Sequence, residues 1–248
     1  MKKEAIKTDW ASRAKTYENI DWVNRDDTLK AIINFIGNVE INKVLDIGTG
    51  TGKVIKSIKQ TYPNSECYGI DISIEMESEL LNDENFIISQ MNCENMQFED
   101  EMFDIVTARM SFHHVANLES AMKEVYRVLK PGGKFIICEG TPPSVNSVEF
   151  YTEMFSYKEE RHTFLCDDLA NILLKMTLVD VTAKIIVSSN MSLNNWVENA
   201  GTPPENIDIL KKLHWEADDA VKADYNMKIV GDDILMDWKF AVVCGTKP

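Results

Sequence analysis

The chain has 248 residues, 44% of them hydrophobic and 27% charged, a balance that fits a single soluble domain with a full core. Its formal net charge of −14, with lysines and arginines dispersed rather than clustered, repels phosphate backbones and argues against a nucleic-acid partner. No apolar run approaches the roughly 18 residues of a membrane span, and the N-terminal residues lack the apolar stretch of a secretory signal, so the expected location is the cytoplasm.

Residues 1–40 carry Trp10, Tyr17 and Trp22 ahead of a helix whose apolar positions include Leu29, Ile32, Ile33 and Ile36. The most informative stretch follows: an apolar strand over 44–47 that contains Asp46 and runs into glycines at alternate positions, Gly48, Gly50 and Gly52, around Thr49 and Thr51. Glycines there let the backbone turn tightly and approach a ligand closely. From Lys53 to Tyr62 the residues Val54, Ile55, Ile58 and Tyr62 share a helical face, and Pro63 is a stop. The start of that helix offers unpaired N–H groups and positive potential to an anionic group of the ligand. A dinucleotide fingerprint G-x-G-x-x-G counted from Gly48 requires glycine at 53, where this chain has Lys53.

A second strand, Cys67 to Ile70, ends at Asp71, nineteen residues past Gly52, where a carboxylate can accept from both hydroxyls of a ribose. A third apolar run, Phe86 to Ser89, leads into Met91-Asn92-Cys93-Glu94-Asn95-Met96-Gln97-Phe98. The fourth, Phe103 to Ala108, is followed by Arg109-Met110-Ser111-Phe112-His113-His114. Leu118, Ala121, Met122, Val125, Val128 and Leu129 then mark an amphipathic helix, closed by the turn Leu129-Lys130-Pro131-Gly132-Gly133 that feeds a strand from Lys134 to Cys138, with Glu139 at its end. Beyond it lie a segment with Tyr151, Phe155, Tyr157, Arg161, His162 and Phe164, a sixth strand over Val181 to Val187, and the break Gly201-Thr202-Pro203-Pro204. A helix near Glu205 to Ala223 and a last strand over Asp237 to Gly245 complete the pattern. Cys67, Cys93, Cys138, Cys166 and Cys244 form no C-x-x-C pair, so neither disulfides nor a metal site are expected.

Taken in order, the glycine turn after a strand acid, Asp71, the 91–98 stretch (similar to G-D-A-E-x-L-P-F), Arg-x-x-x-His-His and Leu-Lys-Pro-Gly-Gly resemble class I S-adenosylmethionine (SAM) dependent methyltransferases. Within that family the chain resembles the small-molecule type of ubiquinone and menaquinone biosynthesis. The resemblance is strong over about 40–140 and implies an α/β, Rossmann-like fold. That fold has a seven-stranded, mostly parallel sheet with helices on both faces, strand order 3-2-1-4-5-7-6 and an antiparallel last strand. One domain, 1–248, then comprises cap helices (1–40), a SAM-binding core (41–140), a substrate-side segment with strand six (141–189), a lid insertion (190–232) and the last strand (233–248).

The resemblance implies SAM as methyl donor and S-adenosylhomocysteine as product. The residues that would bind the donor are Tyr17, Asp46, Gly48, Thr49, Gly50, Gly52, Asp71, Ile72, Asn92, Cys93, Glu94, Arg109 and Met110. Asn92 stands where the family usually has aspartate, and its carbonyl oxygen can still accept from the adenine amino group. The cap folds over the cofactor in resembling proteins, so Tyr17 can face the sulfonium or bond the methionine carboxylate. Arg109 either clamps an anionic acceptor or pairs with Asp104 or Asp46. The acceptor is expected to be a small molecule, with the protein a monomer or homodimer. For a hydroxyl, ring nitrogen or enol acceptor the natural base is an imidazole, so His114 and then His113 are candidates, with Glu139 and, on weaker grounds, His162 behind them. Two rival readings stay open: a non-catalytic SAM-binding or regulatory module, and an NAD-dependent oxidoreductase.

Overall fold

A computed structural model describes residues 10–73 and 80–248. The expectation of a non-exported chain rests largely on residues 1–9, which lie outside the described residues. Among the described residues no helix is long and apolar enough to cross a membrane. The chain divides into two compact units, one of Asp26–Glu139, Cys166–Ile186 and Ala241–Pro248, the other of Met1–Arg25, Gly140–Leu165 and Val187–Phe240.

The helices in chain order are α1 (Trp10–Ala14), α2 (Asp27–Ile36), α3 (Lys53–Thr61), α4 (Leu118–Val128), α5 (Val148–Ser156), α6 (Cys166–Lys175), α7 (Leu193–Asn199), α8 (Pro204–Trp215) and α9 (Asp219–Asp224). The strands are β1 (Lys43–Ile47), β2 (Glu66–Asp71), β3 (Phe86–Gln90), β4 (Phe103–Arg109), β5 (Leu129–Thr141), β6 (Val179–Ser192), β7 (Lys228–Val230) and β8 (Asp233–Thr246).

The first unit is built on a sheet in the order β3-β2-β1-β4-β5-β8-β6. Pairing of β1 with β2 and β4, of β2 with β3 and of β4 with β5 is parallel, so these strands present their carboxyl ends along one edge. β1 and β4 read as nearly continuous apolar runs because helices cover both faces of such strands: Val44, Leu45, Val106 and Ala108 are fully buried. α3 lays Val54, Ile55 and Ile58 inward, and the Tyr62 hydroxyl beyond it donates to the Gly37 carbonyl at 2.6 Å. Asn117 caps α4 by accepting from the Ser120 N–H at 3.1 Å, and the helix buries Ala121, Val125 and Val128. Lys-Pro-Gly-Gly, read as a turn, is counted within β5 but loops out of register: Phe103 pairs with Leu129 and Ile105 already with Lys134.

The predicted order 3-2-1-4-5-7-6 is the observed one once β7 is set aside. β7 is a three-residue, fully exposed strand that turns at Gly231 (φ +64°) to pair antiparallel with the start of β8, and so short an exposed element leaves no hydrophobic period to read. It belongs to the second unit, whose core is aromatic. There Phe155 meets Tyr151 at 4.7 Å and Trp196 at 5.6 Å, and Trp196 meets Trp238 at 5.0 Å between ring centroids. The single helix read near 205–223 is two helices, because the Asp218 carboxylate accepts from the Val221 N–H at 2.8 Å and starts α9 afresh.

Candidate functional site

The site begins where β1 stops. Gly48, Gly50 and Gly52 have φ of +67°, +51° and +81°, the left-handed region that other residues enter only under strain. Two of them also have no room for a side chain. A Cβ on Gly48 would lie 2.3 Å from the Ser111 Cβ, and one on Gly52 would lie 2.6 Å from Leu80 Cδ1. The N–H groups of Gly48 and Thr49 both donate to the Ile70 carbonyl, at 2.8 and 3.0 Å, which ties the turn to the end of β2.

Asp71, at that end, accepts from the Gly50 N–H on Oδ2 and from the Ser73 N–H on Oδ1, each at 3.0 Å. Burial pushes its pKa up and these N–H bonds pull it back. Asp46 lies deeper, 1% exposed, with the Thr107 hydroxyl donating to it at 2.7 Å. Burial raises its pKa to about 7 against the opposing pull of Thr107, Thr49 and the Arg109 charge. Thr49 is buried in the turn itself.

β4 delivers Arg109, whose Nε donates to the Thr28 hydroxyl at 3.1 Å. Of the carboxylates weighed for Arg109, Asp104 is engaged elsewhere, with Lys130 at 2.6 Å and the N–H groups of Asn42 and Lys43. Met110 follows at φ +55° and reverses the chain into a short turn over Phe112–His114. Glu139, at the end of β5, organises that turn. Its Oε1 accepts from the N–H groups of Ser111, Phe112 and His113 at 3.1, 2.7 and 3.3 Å, and its Oε2 lies 2.6 Å from His113 Nδ1. His113 and Glu139 are both buried; His114 is half-buried, its ring centroid 4.1 Å from that of His113.

After β3, the Asn92 carbonyl oxygen accepts from the Glu94 N–H at 2.9 Å, a local turn that fixes the segment. Glu94 accepts from the N–H groups of Ala116 and Asn117 at 3.0 and 3.1 Å. The Cys93 thiol is raised to about 12 by burial and then by Glu94, which keeps it neutral. Ile72 stands 61% exposed beside Asp71, an apolar surface next to the expected ribose position.

The ends of five parallel-paired strands thus bring together Asp46, Gly48, Thr49, Gly50, Gly52, Asp71, Ile72, Asn92, Cys93, Glu94, Arg109, Met110, His113, His114 and Glu139, all in the first unit. Tyr17 and His162 belong to the second. Tyr17 meets Trp22 edge to face at 5.9 Å, and His162 stacks near Phe164 at 5.8 Å. Three residues outside the expected set also shape the site: Ser111, Leu80 and Thr107. Ser111 stands within the Arg109–His114 motif, and its hydroxyl also donates to the Ile47 carbonyl at 2.9 Å. Leu80 carries no motif at all.

The sheet order and the glycine turn define an α/β Rossmann-like fold, mostly parallel with one antiparallel strand. Residues 45–137 match the family described as a methyltransferase domain. Among curated proteins, the demethylmenaquinone methyltransferase of Thermotoga maritima is 33% identical over 131 residues, 52% of this chain and 56% of that protein. The uncharacterized methyltransferase YcgJ of Bacillus subtilis is 26% identical over 189 residues, 72% of this chain and 74% of that protein. The crystal structure of YcgJ superposes with a TM-score of 0.76 at 23% identity, covering 90% of this chain and 99% of that one. A Haemonchus contortus phosphoethanolamine N-methyltransferase, solved with phosphomonomethylethanolamine and S-adenosylhomocysteine, gives a TM-score of 0.65 at 20% identity over 96% of this chain and 58% of that one. The chain spans about half the length of several of the curated relatives it matches.

Proposed function

We propose that the protein is a SAM-dependent methyltransferase that moves a methyl group to an oxygen, nitrogen or carbon of a small-molecule acceptor. The observation that carries this reading is the left-handed Gly48-Gly50-Gly52 turn, filled from behind by Ser111 and Leu80 and hydrogen-bonded through Gly50 to the Asp71 carboxylate. A Cβ at Gly48 or Gly52 would collide with Ser111 or Leu80, so only glycine lets the turn keep this form. SAM supplies an electrophilic methyl on a sulfonium whose departure leaves a neutral thioether.

The chain's residues then fall into roles. The Gly48–Gly52 backbone and the start of α3 would hold the methionine end, whose carboxylate suits the positive potential of a helix N-terminus. Asp71 would grip the ribose and Ile72 would lie against the base, with Asn92, Cys93 and Glu94 shaping the adenine side. Asp46, buried and short of compensation at neutral pH, suits a cationic ligand nearby. Arg109 and Met110 carry the backbone from β4 past this region. Glu139 is better suited to positioning than to proton transfer: its lone pairs hold three N–H groups and His113, so it shapes the turn that presents His114. Methyl transfer needs alignment and a dry pocket more than acid or base, and His114 is the side chain of this turn placed to take a proton when the acceptor has one to lose. The names of the relatives, which act on a menaquinone precursor and on phosphoethanolamine derivatives, support a small acceptor. Lys53 at the position of the third fingerprint glycine argues against the nicotinamide reading.

Incubating the protein with methyl-labelled SAM and a metabolite extract tests turnover. Label in a small-molecule fraction supports the reading; label confined to protein, or none transferred while SAM binds, contradicts it.

A further inference from the structure

The second unit contains a buried group of charges that no donor-binding role explains. Arg13, Lys158 and Arg161 surround one carboxylate, Glu159, and the side chains of all four are no more than 8% exposed. Arg13 Nη1 and Lys158 Nζ reach Glu159 Oε2 at 2.9 and 2.5 Å, while Arg161 Nη1 reaches Oε1 at 3.4 Å. Three cations against one anion leave an excess of positive charge away from water, which is costly unless something compensates it. The donors are also left over. Arg13 Nε and Arg161 Nη2 are buried without a hydrogen-bond partner among the described residues, as is the hydroxyl of Thr202. Thr202 follows Gly201, which lies at φ +70° directly against Arg13, its missing Cβ only 3.3 Å from the arginine's own. The Arg161 guanidinium is stacked over Phe155 at 4.1 Å, which holds its plane in place. Burial and the neighbouring guanidinium of Arg13 push Lys158 down to about 7, the response of a cation in a site already too positive.

We propose that the Arg13, Lys158 and Arg161 cluster is a binding site for an oxyanion, a carboxylate or a phosphate group, with Thr202 contributing a further hydrogen bond. A carboxylate or phosphoryl group accepts in pairs from guanidinium N–H groups and would meet the donors that Glu159 leaves unused. The anion site stands within the second unit alone and does not rest on the methyltransferase reading.

The test is calorimetric titration of the full chain with sodium phosphate and, separately, sodium benzoate, each against sodium chloride at matched ionic strength, with SAM affinity measured in parallel. One of the two oxyanions is expected to bind beyond the chloride control. Arg161→Gln should weaken it at least about tenfold and Thr202→Val less, while SAM affinity stays within about twofold in both variants. A phosphate response identifies a phosphoryl ligand and a benzoate response a carboxylic acid. Wild-type protein that binds SAM but neither oxyanion, or an Arg161→Gln variant that binds as well as wild type, overturns the anion site alone. Oxyanion binding that depends on Arg161 in a protein that ignores SAM would leave the anion site standing and remove the methyltransferase reading.

Discussion

Two carboxylates, the half-buried Asp71 and the buried Asp46, sit at neighbouring strand ends, and their surroundings give them different work. Asp71 is already oriented by the N–H groups of Gly50 and Ser73, so its remaining lone pairs point to fixed positions. Asp71→Ala should therefore weaken SAM by about 1–3 kcal/mol in a calorimetric titration. Asp46 is set by burial, with a pKa of about 7 against an ordinary 3.8. A group raised in this way contributes stability that is full below the unfolded value and is lost as pH rises through the folded value. Denaturant melts from pH 4 to 7 should accordingly show wild type losing stability relative to Asp46→Asn by about 1.4 kcal/mol per pH unit at most. A cationic ligand at this carboxyl favours its ionised form, so SAM binding near pH 7 should release a fraction of a proton, seen as a dependence of the binding heat on buffer ionisation enthalpy. Asp46→Asn should remove that dependence. Position and type of both acids were legible in the sequence, because strand period and motif spacing fix them. Their protonation was not, since it depends on Thr107, Arg109 and burial that only the assembled sheet supplies.

Among the elements, the glycine turn and the 111–114 turn lock each other. Gly48 is glycine because Ser111 stands 2.3 Å from where a Cβ would be, and Ser111 is placed by the N–H bonds of its own turn to Glu139. Gly48→Ala and Gly52→Ala should each lower stability by about 2–4 kcal/mol, a backbone cost of about 1 kcal/mol plus the overpacking. Gly132, at φ +78° with nothing within 4 Å of a Cβ, isolates the backbone cost, so Gly132→Ala should lose only about 1 kcal/mol in the same melts. Glu139→Ala strands three N–H groups and His113 and should cost about 3 kcal/mol or more, with a larger loss than His114→Ala. The sequence shows the glycines and the two histidines but not which partner each turn leans on: Gly48 and Ser111 are distant in the chain and meet only through the parallel pairing of β1 with β4.

For the whole molecule, the order of the strands and the gathering of the candidate residues at their carboxyl ends could be read in advance, because apolar runs, turn residues and acid positions repeat in a parallel sheet with a clear period. The second unit could not. Its charge cluster joins Arg13 to Glu159 across 146 residues, and its helices change direction at caps such as Asp218 that an apolar count overlooks. The donor claim governs everything proposed for the first unit, and it has a direct test in the melting temperature of the full chain with ligand in excess. SAM and S-adenosylhomocysteine should each raise it, by an amount that shrinks in Asp71→Ala, while NAD leaves it unchanged. A shift with NAD, or none with either adenosyl ligand, would contradict the account.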